Sequence, residues 1–280
     1  MDLPTSPGSP RLYAYTGGKP FDATRPTVVF VHGAQHDHSV WILQSRYLAH
    51  HGYSVLALDL PGHMRSDGPP LESVEAIADR IAEALRAANV KRTIVVGHSM
   101  GSLIALEVAR RLPEAVRGVA LVGSAFPMRV AEPLLNATLD APAEALDMIN
   151  VWSHSPSIAG FDRKPSSPAP GFSTIWQNLR LMQRIQARDG DRVLPIDFAA
   201  CNRYTGGLEA AAALQCPALF VLGSSDVMTP PRAAKALVDA CPQAQVVTLP
   251  HAGHALMAEN PDGVREAIAR FAGRVFAPAG

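Results

Sequence analysis

Short apolar runs bounded by glycine, proline and polar residues alternate with segments of helical period along most of the chain. Thr27–His32 (TVVFVH) is a β-branched run ending at Gly33, the pattern of a strand buried on both faces. Ser54–Asp59, Arg92–Val96, Val119–Val122, Ala218–Gly223 and Gln245–Leu249 repeat it, and Arg11–Tyr15 reads as a first strand. Between the runs, Ser39 is expected to cap a helix through His50 that Gly52 closes. Val74, Ile77, Ala78, Ile81 and Leu85 recur at helical spacing, and Met100–Arg111 and Pro231–Cys241 are also helical. The last helix opens with Asn260 as cap and Pro261 at its first position, with Val264, Ile268, Phe271 and Val275 on one face.

This alternation predicts an α/β protein with a parallel sheet and helices on both of its faces. The rhythm breaks near Phe126 and resumes after Arg203. Ala143–Trp152 and Thr174–Arg188 read as helices, with the Pro/Ser-rich loop Ser155–Gly171 between them. The expected division is therefore a core made of 1–125 and 204–280, interrupted by a helical cap over 126–203. Insertions at the C-terminal edge of a parallel sheet sit over the ligand site.

Composition narrows the class. With 48% hydrophobic and 18% charged residues in 280, the chain can bury a large core. Lys plus Arg and Asp plus Glu both total 25, so charge argues for neither nucleic acid nor an anionic membrane as partner. Three cysteines, Cys201, Cys216 and Cys241, form no CxxC pair and suit a reducing compartment. The first 25 residues contain no apolar signal region, and no apolar run reaches the ~18 residues of a membrane span. The expectation is a cytoplasmic protein; oligomeric state is not legible.

The chemistry begins at Gly97-His98-Ser99-Met100-Gly101, a G-x-S-x-G motif between the strand Thr93–Val96 and a helix. A sharp strand-to-helix turn exposes the serine hydroxyl at the top of the sheet, and the helix start points N–H groups at developing negative charge. A serine hydroxyl needs a base. Two histidines compete in Pro250-His251-Ala252-Gly253-His254; His254 is favoured because the preceding glycine lets the loop turn toward Ser99. The base needs an acid to orient it. Asp226, just past the strand Ala218–Gly223, has little competition, since no carboxylate follows Val122 until Glu132. The backbone N–H groups of Met100 and Ala34 are the expected oxyanion donors. Gln35, Trp152, Trp176 and Met228 are candidates to line the substrate pocket. His32, His36, Asp37 and His38 match no metal-ligand spacing, so no metal is expected, and His32 and His63 are read as structural.

Four segments in order carry a resemblance: Val31-His32-Gly33, Asp59-Leu60-Pro61-Gly62-His63-Met64-Arg65-Ser66, the turn around Ser99, and His251-Ala252-Gly253-His254 with Glu259-Asn260-Pro261. Over Arg11–Phe276 the chain resembles the α/β-hydrolase superfamily. Its Asp226-Val227-Met228-Thr229-Pro230 turn resembles the esterase, lactonase and cofactor-free haloperoxidase-like branch. The resemblance implies a mostly parallel eight-stranded sheet with helices on both faces and a helical cap. It also implies a Ser99–His254–Asp226 triad, Ala34 and Met100 as oxyanion donors, and no cofactor. Met64 departs from the pattern, which usually has glycine there, and Gln35-His36-Asp37-His38 is more polar than usual.

The expected activity is hydrolysis of a small-molecule carboxylic ester through an acyl-enzyme. A lactone, amide, thioester, C–C bond or peracid reaction on the same triad, or acyl transfer, are neighbouring readings that the fold alone does not separate. A ligand-binding receptor that turns over slowly or once is the rival from another class.

Overall fold

The computed structural model describes residues 1–4, 8–155, 172–241 and 243–277. Eight strands form one sheet: β1 (Asp2–Leu3), β2 (Leu12–Tyr15), β3 (Thr27–Val31), β4 (Ser54–Leu58), β5 (Thr93–His98), β6 (Val116–Val122), β7 (Ala218–Gly223) and β8 (Ala244–Leu249). Their order is β1-β2-β4-β3-β5-β6-β7-β8. The pairs β1–β2 and β2–β4 are antiparallel and the rest parallel. The mostly apolar runs are the central strands: every residue of β3, β4, β5 and β7 is buried, as expected where helices cover both faces.

The helices are α1 (Ile42–His50), α2 (Val74–Ala87), α3 (Met100–Arg111), α4 (Glu132–Asp140), α5 (Pro142–Ser153), α6 (Phe172–Asp189), α7 (Val193–Arg203), α8 (Gly207–Ala212), α9 (Pro231–Ala240), α10 (Leu256–Glu259) and α11 (Pro261–Val275). One face of the sheet packs Val29, Val95 and Leu121 against α2, α3, α8 and α9. The other packs Phe30, Val96 and Val122 against Leu48 of α1 and Ile268 and Phe271 of α11. Helices α4–α7 lie between β6 and β7 in the chain and build a third cluster from Leu134, Leu146, Ile149, Met182, Leu194 and Phe198.

Three expectations change. Asp37, not Ser39, caps the first helical turn: its carboxylate accepts the Ser39 N–H at 2.8 Å and opens a 3-10 turn, His38–Trp41, ahead of α1. The strand β6 starts three residues earlier than the apolar run, because the exposed Arg117 interrupts the pattern without leaving the sheet. Helices α4 and α7 carry Pro133 and Pro195 and gave little local signal; each is fixed by what it buries. Most of the loop read at Ser155–Gly171 lies outside the described residues. Among those described, no helix is long and apolar enough to cross a membrane.

Candidate active site

β5 runs straight into Ser99, whose backbone (φ 53°, ψ −121°) is one that side-chain-bearing residues avoid. The turn is this tight because its glycines allow it. A Cβ on Gly97 would lie 1.9 Å from the Gly101 carbonyl oxygen, and one on Gly101 would lie 2.4 Å from that of Val31. Ser99 thus stands half-buried at the foot of α3, facing a cavity of about 360 Å³ that Ala34 and His254 also line.

His254 reaches the cavity from the loop after β8. Its Nδ1–H donates to Asp226 Oδ2 at 2.8 Å, which leaves Nε2 with the lone pair in the neutral ring. Asp226 is buried beyond β7. Burial pushes its carboxyl up, but the charge of His254 and hydrogen bonds from His254 and Thr229 outweigh it and hold the group at about 2. The Thr229 hydroxyl donates to the same Oδ2 at 2.7 Å, and the N–H groups of Met228 and Thr229 donate to Oδ1 at 2.9 and 2.8 Å. His251, the competing histidine, is exposed, and its N–H donates to Ser224 Oγ.

Two backbone donors are the oxyanion candidates: that of Ala34, which lines the cavity, and that of Met100, which follows Ser99 directly and does not itself line it. The Met100 N–H is at the first position of α3, where no intrahelical acceptor exists. The Ala34 N–H has no protein acceptor among the described residues. Its peptide is fixed from behind: His32 Nδ1–H donates to the Gly33 carbonyl at 2.8 Å while His32 Nε2 accepts the Leu60 N–H at 3.0 Å. Burial and the neighbouring His63 drive the His32 pKa well below its ordinary value, so the ring is neutral, as that bonding requires.

The pocket candidates divide. Trp152 and Met228 line the cavity, with Met128, Leu134, Ile149 and Phe198. Trp176 does not: it is 45% exposed and lines a separate groove with Arg180 and Arg184, because its position on α6 turns the ring away from the third cluster. Gln35 does not line the cavity either. It is fully buried, its N–H donating to Asp197 and its side chain to the Met182 carbonyl. Met64 has φ 40°, the left-handed conformation that the more usual glycine adopts without strain.

Three residues that the sequence shows only as parts of motifs make contacts it does not signal. His98 is buried, and burial together with His254 pushes its pKa well down; its Nε2–H donates to the His254 carbonyl at 2.9 Å. Thr229 was visible only as part of a turn. Glu259 accepts the Gly253 N–H at 3.1 Å and, from two residues past α5, the Ser155 N–H at 3.0 Å and hydroxyl at 2.6 Å. His63 faces the Pro61 loop carbonyl through Nδ1, and its Nε2 meets a carboxylate, Asp197. Asp37, His38 and Asp59 bring three potential ligand atoms within 4.8 Å of one another. Those atoms are held in loop bonds: His38 donates to Asp59 through its N–H and Nδ1, and Asp37 accepts from Ser39 and Arg184.

Comparison with known proteins gives the family. The chain is 28% identical over 248 residues to the "Putative carbamate hydrolase RutD" of Klebsiella pneumoniae subsp. pneumoniae, covering 85% of this chain and 87% of that protein. It is 28% identical over 274 residues to the pimeloyl-(acyl-carrier protein) methyl ester esterase of Yersinia pseudotuberculosis serotype IB, covering 94% and 97%. Its fold superposes on the solved structure of a thermophilic esterase with a TM-score of 0.78 at 23% identity, over 99% and 98% of the two chains. The family model of the alpha/beta hydrolase fold matches residues 26–261, and the chain belongs to that family.

Proposed function

We propose that the protein hydrolyses small carboxylic esters with an apolar acyl or alcohol part, using Ser99 as nucleophile, His254 as base and Asp226 as its orienting acid. The observation that carries the reading is the 2.8 Å bond from His254 Nδ1 to a carboxylate held at about 2, on a cavity that also holds a serine at a strained strand-to-helix turn. The ester-cleaving relative over nearly the full chain supports it.

The steps follow from the groups. Ser99 Oγ attacks the carbonyl carbon as His254 Nε2 takes its proton, and Asp226 stabilises the imidazolium. The negative oxygen of the tetrahedral adduct lies between the N–H groups of Ala34 and Met100. The C–O bond to the alcohol breaks, and the alcohol leaves with the proton from His254. Water then attacks the acyl-Ser99 ester, giving its proton to His254, and the acid departs as Ser99 recovers the proton. No step calls for a cofactor or metal. Lactones, amides and thioesters would pass through the same adduct.

A cavity of about 360 Å³ with mostly apolar lining suits a small substrate. We take 126–203 as the cap that forms its roof and 1–125 with 204–280 as the core. A fluorophosphonate probe tests the nucleophile: mass spectrometry should find one adduct, on Ser99, and none in Ser99→Ala. Labelling elsewhere, or equal labelling of both proteins, would refute the assignment.

A further inference from the structure

The Ala34 N–H is useful to a tetrahedral oxyanion only if the loop after β3 holds it still. The peptides on both sides of Ala34 are fixed, and the residue that fixes the far one comes from a distant part of the chain. The Gln35 N–H donates at 2.9 Å to Oδ2 of Asp197, on α7. The carbonyl of that same Ala34–Gln35 peptide accepts His36 Nδ1–H at 2.7 Å. Gln35 itself has φ 55°, a conformation that costs a side-chain-bearing residue free energy and persists only when its surroundings impose it.

Asp197 Oδ2 takes a second bond, from His63 Nε2 at 3.0 Å. The other ring nitrogen, His63 Nδ1, faces the Pro61 carbonyl at 3.1 Å. A carbonyl and a carboxylate both only accept, so His63 donates from both nitrogens and is an imidazolium. His63 and Asp197 are each 1% exposed, so this is a buried ion pair between the core and α7. Nothing in the ester chemistry touches either residue. Among described residues, neither lines the cavity.

We propose that Asp197 is a positioning residue for the oxyanion hole: by receiving the Gln35 N–H while locked to His63, it sets the orientation of the Ala34 donor from the helical insertion. The inference rests on the acyl-transfer reading above. It accounts for a buried charge pair where an apolar contact would serve stability as well. It also makes the insertion part of the catalytic geometry, so that loosening α7 loosens the oxyanion loop.

The test separates positioning from stability. Replacing both members of a buried ion pair with apolar residues tends to preserve stability, whereas removing one leaves an unpaired charge. The double variant His63→Leu/Asp197→Leu is therefore expected to stay folded, its melting temperature lowered by no more than a few degrees for the one buried Gln35 N–H that loses its acceptor, and so less than in a variant that leaves a buried charge unpaired. For a p-nitrophenyl ester, kcat should fall about 10- to 100-fold with KM within about twofold, short of the roughly 10²- to 10³-fold cost of losing an oxyanion donor outright. Affinity for an alkyl boronic acid, whose adduct on Ser99 puts a negative oxygen in the hole, should fall by a similar factor. The second variant, Asp197→Asn, retains an oxygen for the Gln35 N–H and should stay within about threefold of wild type in both readouts. A double variant with unchanged kcat and boronate affinity overturns the proposal, as does an Asp197→Asn loss as deep as the double variant's. A wild type that neither turns over esters nor binds the boronic acid overturns the acyl-transfer reading and the role of Asp197 with it.

Discussion

Thr229→Val deletes a hydroxyl while keeping the shape of the side chain, so it isolates one hydrogen bond of the site. In the wild type that hydroxyl donates to Asp226 Oδ2 at 2.7 Å and sits 3.0 Å from His254 Nδ1. A hydrogen bond to a charged group contributes about 1.5–3 kcal/mol, and one pKa unit corresponds to about 1.4 kcal/mol. Without the hydroxyl, Asp226 should titrate about one unit or more above its present value of about 2, toward the ordinary carboxylate range. The sign follows from linkage. The folded pKa lies below the unfolded one of 3.8, so the stabilisation is complete above about pH 4 and is lost as pH falls through about 2. The variant should therefore be about 1–2 kcal/mol less stable at pH 7, with the deficit shrinking toward zero at pH 2. Urea unfolding of both proteins across that range measures it. A deficit constant with pH, or no deficit, would refute the reasoning, because a packing defect does not titrate with Asp226.

The His63–Asp197 pair predicts the opposite limb. Burial pushes the His63 pKa down, but Asp197, with help from the Pro61 carbonyl and Asp59, raises it above 6.5, while the neutral His32 ring packs against it 4.9 Å away. Its contribution is full below about pH 6.5 and lost as pH rises through the raised value, so the wild type should lose more stability between pH 6 and pH 9 than His63→Leu/Asp197→Leu; equal losses would count against an ion pair. Gly97→Ala should yield inactive or insoluble protein, since the added Cβ would meet backbone at 1.9 Å; normal activity would mean the turn is looser than described. Glu259→Ala leaves three donors on the His254 loop and just past α5 without their acceptor, at about 1–3 kcal/mol each if they stay buried. Differential scanning fluorimetry should show a drop of at least about 4 °C, with kcat reduced as the His254 loop loosens; an unchanged melting temperature would dismiss the clamp.

What was legible in the sequence was what local pattern controls. Strands β3, β4, β5 and β7 are buried, mostly apolar runs, and the turn at Ser99 follows from two glycines and the strand before them. The order Ser99, Asp226, His254 could be read because each residue sits just past a recognisable strand. What stayed hidden depends on partners far along the chain. Asp197 and His63 are 134 positions apart, and nothing near either one signals the other. Gln35, expected at the pocket, is instead drawn inward by Asp197 and Met182. Trp152 and Trp176 are both aromatic residues on helices, and only the packing of α5 against α6 decides that one faces the cavity and the other the surface. Helices α4 and α7 hold together through Leu134, Leu194 and Phe198 rather than through propensity.

The nucleophilic role of Ser99 is tested most directly by steady-state kinetics of wild type and Ser99→Ala on p-nitrophenyl esters of increasing acyl length. The wild type should turn over many times, best with the chain that fills the cavity beside Trp152 and Phe198, and Ser99→Ala should fall by about 10⁴-fold or more. Equal hydrolysis by the two proteins would contradict the assignment of Ser99, and a single turnover that leaves modified wild-type protein would point to a receptor instead of an esterase.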